Sequence, residues 1–110
     1  MAENLIQFGT RKKGEVTILD LSGRLDRTTA PETKTTGEKI IDENKSVVMN
    51  MEHLEYISSA GLRVILHLAK SAEKNGKEFA LCSPVGIVKN VLEEASIDVF
   101  VTVYKTEDEI

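Results

Sequence analysis

Tyr56-Ile57-Ser58-Ser59-Ala60-Gly61-Leu62 is the stretch on which the fold turns. Upstream, Lys45-Ser46-Val47-Val48-Met49-Asn50-Met51 is a near-continuous apolar run, which suits a strand buried on both faces. Downstream, Leu62, Ile65, Ala69 and Ala72 recur at helical spacing, and Val64, Leu66 and Leu68 widen the stripe. The spacing predicts a helix from Leu62 to Asn75, stopped by Asn75-Gly76. The heptapeptide between is therefore a strand-to-helix junction. It presents a serine at a helix N-terminus, where a hydroxyl can accept a bond from an orphan backbone N–H.

Further along, Glu78-Phe79-Ala80-Leu81-Cys82 reads as a buried fourth strand. Ser83-Pro84 opens a helix with proline at its first position, striped by Ile87, Val88, Val91 and Leu92. Val99-Phe100-Val101-Thr102-Val103 reads as a fifth strand, and Thr106-Glu107-Asp108-Glu109 as a short final helix or a frayed end. Toward the start, Leu5 to Phe8 is a short strand and Gly9 to Gly14 a polar turn that carries the solvated charges Arg11-Lys12-Lys13. Glu15 to Leu21 alternates as a half-buried strand should, and pairs with the first as a hairpin. Ser22-Gly23-Arg24-Leu25-Asp26 breaks that pattern as a turn. Thr28 or Thr29 caps the next helix, with Pro31 and Glu32 in its first turn, and the helix runs to about Glu43.

The order β-β-α-β-α-β-α-β, with a possible closing helix, makes residues 1–110 one α/β domain. Right-handed crossovers imply a mixed, partly parallel sheet of about five strands, with three to four helices mainly on one side. The other face should be polar or serve as a contact surface.

Composition narrows the function. A net charge of −4 gives no electrostatic support for direct nucleic-acid binding. No apolar run approaches the roughly 18–20 residues that insert in a bilayer. Met1-Ala2-Glu3-Asn4 shows neither the basic nor the apolar part of a leader, so the expected location is cytoplasmic. Asn44-Lys45-Ser46 then matches a glycosylation sequon by chance. The single cysteine, Cys82, excludes an internal disulfide and reads as a buried structural thiol.

Chemistry is absent where an enzyme would show it. There is no phosphate-cradling glycine motif, no zinc-spaced Cys/His set and no G-x-S-x-G elbow. A Ser–His pair, such as Ser59 with His53, is conceivable from sequence distance, while His67 reads as a surface flank of the main helix. The expectation is a chain that is not an enzyme and needs no cofactor. The junction remains: it leaves a buried strand at the C-terminal edge of the sheet, where α/β folds place ligand sites. The small Ala60-Gly61 pair opens the helix end to another molecule, and the Gly23 to Asp26 turn can bring Arg24 and Asp26 to the same edge. Asp26 reads equally as an Asx-turn or helix cap.

Three stretches resemble the STAS family, and within it the bacterial anti-sigma factor antagonists. Leu21-Ser22-Gly23-Arg24-Leu25-Asp26 is similar to the family's Leu-x-Gly-x-Leu-Asp turn. Val47 to Leu54 is similar to its third strand and exit loop, and Tyr56 to Leu66 to its phosphorylation motif. Asn75 to Phe79 and Val88 to Leu92 fit the remainder. The resemblance implies Ser59 as phosphoacceptor, with Ser58 where the family usually has aspartate. It implies a partner-binding surface of Asp26, Arg24, Ser58, Ala60, Gly61, Leu62, Arg63 and Leu66. The implied partners are an anti-sigma factor serine kinase, which binds the unmodified chain and releases it on phosphorylation, and a serine phosphatase that restores binding. Weak nucleotide binding and docking on a membrane transport ATPase are the other roles found in the family.

Overall fold

The computed structural model describes residues 5–110; Met1 to Asn4, read above for a leader, lie outside them. β1 (Ile6–Lys13) and β2 (Val16–Leu25) form an antiparallel hairpin, closed by Lys13 opposite Val16. Only Gly14 and Glu15 make the turn, and Gly14 takes a φ of +59°, which glycine adopts without steric cost. α1 (Ala30–Glu43), β3 (Ser46–Ile57), α2 (Ser59–Lys74), β4 (Glu78–Cys82), α3 (Gly86–Glu94) and β5 (Thr102–Tyr104) follow. Short 3₁₀ turns at Ile97–Val99 and Glu107–Glu109 complete the chain.

The strands lie in chain order, β1-β2-β3-β4-β5, and from β2 onward every pairing is parallel. Each right-handed crossover therefore steps the same way and lays its helix on the same face. That face holds Leu19, Leu21, Met49, Met51 and Leu81, packed under Ile65 and Leu68 of α2 and Val88 and Leu92 of α3. Ile41 and the buried Thr33 and Gly37 do the same for α1, whose apolar content is otherwise thin. Thr33 is accommodated by donating its hydroxyl to the Thr29 carbonyl at 3.0 Å.

Among the described residues the opposite face carries no α-helix, but it is not simply polar. Ile18, Val48, Ala80 and Cys82 form a small apolar cluster with Val16, Tyr104 and Ile110 against it. The C-terminal turn is held there by Arg11, which donates to Asp20 at 2.7 Å and to Glu107 at 2.9 Å. Asn50 extends the network, donating to Asp20 at 2.7 Å, and the Cys82 thiol lies 3.7 Å from the Asn50 oxygen. Burial pushes the Cys82 thiol up in pKa, as an inert structural cysteine requires.

Five sequence expectations are corrected. Gly9 to Lys13 is strand, not turn: an edge strand pairs through its backbone and needs no apolar alternation, so its polar side chains hid it. Ser22 to Leu25 is likewise strand, carried through Gly23 as an irregularity in the register with β3. Gly23 has a φ of +107°, and a Cβ there would run into the Leu5 carbonyl, which accepts from Arg24 N at 2.8 Å. β3 continues to Ile57, so the expected exit loop is strand. α3 begins at Gly86 and not at Pro84, because Ser83 turns the chain at a φ of +58° first. The fifth strand starts at Thr102; Val99 and Phe100 belong to a 3₁₀ turn and its exit, and both are exposed.

Candidate functional site

Leu25 and Ile57 are opposite each other at the ends of the parallel strands β2 and β3. The next residues, Asp26 and Ser58, therefore leave the sheet side by side, and Ser58 N donates to the Leu25 carbonyl at 3.0 Å. Ser58 is still extended (φ −104°, ψ 178°), and its Oγ accepts from Gly61 N at 3.4 Å. Its carbonyl accepts the first helical bond, from Leu62 N at 3.0 Å. Ser58 is thus the N-cap and Ser59 the first residue of α2, three residues before the helix start expected from the apolar stripe. Ser59 is exposed, on the turn where the partial positive charge of the helix is concentrated.

Gly61 is buried, and its role differs from the expected opening of the helix end. A Cβ on it would lie 2.7 Å from Ile57 Cγ1 and 2.8 Å from both the Leu25 Cγ and the Leu25 carbonyl oxygen. Glycine lets the helix tip sit directly on the strand ends, and so fixes where Ser58 and Ser59 stand. Ala60 and Leu62 are half-buried beside it.

The β2 exit is built as tightly. Asp26 Oδ1 accepts from Thr28 N at 3.0 Å and Thr29 N at 3.2 Å, the Asx-turn geometry. Thr29 ties the turn closed: its hydroxyl donates to the Arg24 carbonyl at 2.8 Å and accepts from Asp26 N at 3.0 Å. Partial desolvation pushes the Asp26 carboxyl up, but the Thr29 and Thr28 amides and the Arg24 guanidinium outweigh it and hold it below its ordinary value. Arg24 lies 3.6 Å from Asp26 Oδ2 and stacks over Tyr56, 4.5 Å from the ring centroid. Arg24 and Tyr56 are paired positions of β2 and β3. Thr29 stands at the N-cap of α1 as expected, but its hydroxyl closes the Asp26 turn instead of capping the helix; the contact of Tyr56 with Arg24 is not visible in the sequence, because it depends on strand pairing beyond Gly23.

On α2, Ser59, Leu62, Arg63 and Leu66 stand at helical spacing i, i+3, i+4 and i+7, opposite the buried stripe of Gly61, Val64, Ile65, Leu68 and Ala72. Arg63 is exposed, and Leu66 is half-buried. The conceivable Ser59–His53 pair is not assembled. From His53, β3 runs on to Ile57, about 13 Å of extended strand, before the junction is reached. His67 faces α1 instead, its Nε2 2.6 Å from Glu38. Among the described residues no cluster of His, Cys, Asp and Glu could hold a metal ion, and no helix is long and apolar enough to cross a membrane.

A family model of the STAS domain matches residues 7–110. The chain belongs to the STAS domain family. This STAS domain is 28% identical over 94 residues to an anti-sigma F factor antagonist of Paenibacillus polymyxa, across 84% of this chain and 80% of that protein. It is similar to the crystal structure of a candidate anti-sigma factor antagonist of Thermotoga maritima, at a TM-score of 0.83 and 28% identity, covering 93% of this chain and 89% of that one. The unphosphorylated form of SpoIIAA, a Bacillus anti-sigma factor antagonist, shares the fold at a TM-score of 0.73 and 20% identity, over 94% and 91% of the two chains.

Proposed function

We propose that this STAS domain is an anti-sigma factor antagonist that switches partners through Ser59. Unmodified, it binds a cognate anti-sigma factor that is also a serine kinase, and so regulates sigma-factor-dependent transcription. Phosphorylation of Ser59 by that kinase ends the binding, and a serine phosphatase restores it. In the transfer, Ser59 Oγ attacks the γ-phosphorus of ATP held by the kinase. The bond to ADP breaks, and the hydroxyl proton passes to a base of the kinase. The STAS domain is substrate and not catalyst.

The observation that carries this reading is the division of labour between the two serines. Ser58 makes the cap, so Ser59 is exposed and its modification breaks no bond of the cap. A phosphoryl group adds roughly −1.5 to −2 charge at neutral pH. In the free domain the helix N-terminus favours that charge by about 0.3–1 kcal/mol, so the fold persists. Against an acidic group about 4 Å away on a docked partner, each unit charge costs about 4 kcal/mol at an effective dielectric of 20. That is roughly a thousandfold in affinity, so a local charge change suffices without any rearrangement. Leu62 and Leu66 supply apolar contact, Arg24, Arg63 and Asp26 supply register, and Gly61 acts from within by seating the helix.

The test is incubation with the cognate serine kinase, followed by mass spectrometry and binding measurements. Ser59→Ala should bind without being modified, and Ser59→Asp should bind weakly. Modification elsewhere, or copurification with a transport ATPase while Ser59 stays unmodified, would overturn the reading.

A further inference from the structure

A specific protein complex covers about 800 Å² on each partner, drawn from roughly 20–30 residues. The few exposed side chains around Ser59 make only part of such a surface. The adjoining concavity is a groove of about 620 Å³ between β3 and the start of α3, bordered by Glu52, His53, Glu55, Val85 and Ile87. Topology puts it on the Ser59 side of the sheet: β3 and β4 are parallel neighbours, so α2 and α3 both follow strand C-termini there, α2 beyond the end of the longer β3.

The groove exists because β3 outruns β4. Their pairing stops at Asn50 opposite Cys82, whereas β3 continues to Ile57. Asn50 closes the pairing, its side-chain oxygen accepting from Glu52 N at 3.2 Å. Beyond that point, among the described residues, no strand pairs with the β4 side of β3. Across the gap, Val85 and Ile87 are 50% and 53% exposed, while the buried residues of α3 are Val88 and Leu92. Val85 and Ile87 therefore add little to the core. Glu52 and Glu55 are exposed, and among the described residues neither is in an ion pair.

We infer that this groove is a second docking element for the partner that meets Ser59. Its occupant is an extended segment of that partner, carrying an aliphatic side chain flanked by lysine or arginine. The aliphatic group meets Val85 and Ile87, the cations meet Glu52 and Glu55, and the unpaired edge of β3 offers main-chain bonds of the strand-addition kind. The edge is then bipolar, with Arg24 and Arg63 at the Ser59 end and two carboxylates at the groove. Such a pattern fixes one orientation of the partner and speeds its encounter. The inference rests on the reading of Ser59 as a partner-binding site.

The test uses the full chain and its cognate kinase, with binding kinetics at low and high salt, phosphate mapping, and thermal melts to verify folding. Glu52→Lys combined with Glu55→Lys should weaken binding about tenfold, chiefly by slower association, and the loss should shrink in high salt. Ile87→Ser should weaken it about fivefold through faster dissociation, since a half-exposed aliphatic loses part of its burial energy. At saturating kinase both variants should still carry phosphate on Ser59. A wild-type chain that binds and is phosphorylated, while both folded variants bind within about twofold of it, overturns the groove and leaves the Ser59 reading intact. A wild-type chain that neither binds nor gains phosphate on Ser59 overturns both.

Discussion

Replacing Gly61 by alanine tests how the site is held in place. The added Cβ would sit 2.7 Å from Ile57 Cγ1 and 2.8 Å from Leu25 Cγ and from the Leu25 carbonyl oxygen. Ordinary contacts are about 3.5–4.0 Å, so the helix tip must retreat by close to an ångström. Neither wall yields easily, because Leu25 and Ile57 are both buried. Overpacking of this kind costs about 1–3 kcal/mol. Retreat also strains the bond from Ser58 N to the Leu25 carbonyl, which contributes about 1 kcal/mol. Alanine's helix preference returns at most about 1 kcal/mol, less in a first turn. The net expectation is a loss of about 2–3 kcal/mol, a fall of about 9–13 °C in Tm for a domain of this size. Urea and thermal unfolding would measure it. Gly37→Ala is the control: there the Cβ meets the flexible methyl ends of Leu68, at 2.6 Å and 3.0 Å, and the loss should be smaller. A Gly61→Ala chain as stable as wild type would refute the claim that Gly61 seats the helix on the strand ends.

Three further outcomes are expected. Ser58→Ala should cost about 0.5–1 kcal/mol in urea unfolding, the lower part of the capping range because its bond is long at 3.4 Å, and should leave Ser59 modifiable. Arg11→Ala should cost about 1 kcal/mol, since its pairs with Asp20 and Glu107 are partly solvated and screened. Arg11 holds both carboxyls below their ordinary pKa, so their contribution is complete above about pH 4–5 and is lost as pH falls through the depressed values. Acid unfolding of Arg11→Ala should accordingly be shallower, and the same slope in both chains would contradict that assignment. Cys82 should react with a thiol reagent only at the rate of unfolding, which labelling with increasing urea can show.

The sequence disclosed the parts of this fold that bury apolar side chains with a clean period. α2 and β4 were legible for that reason, and so were the core of β3 and the mixed sheet with its helices on one side. What stayed hidden were segments shaped by backbone pairing. Gly9 to Lys13 is polar because β1 is an edge. Alternation breaks at Met51-Glu52 and at Glu55 because the β2–β3 register shifts there, either side of Ser22 and Gly23. Val99 and Phe100 look like strand core yet lie on the surface. At the site, two adjacent serines at a helix start carry no sequence signal for which one caps; the extended backbone of Ser58 decides it. The inward role of Gly61 was equally invisible, since only the packed strands reveal what a methyl group would strike.

The central claim is that Ser59 is the residue whose charge decides whether a partner stays bound. The most direct measurement is the affinity of the cognate kinase for this STAS domain before and after phosphorylation, with the site mapped by mass spectrometry. The account predicts one phosphate, on Ser59, and a loss of affinity of roughly a thousandfold. A phosphate on Ser58 or elsewhere, or a Ser59-phosphorylated chain that binds as tightly as the unmodified one, would contradict it.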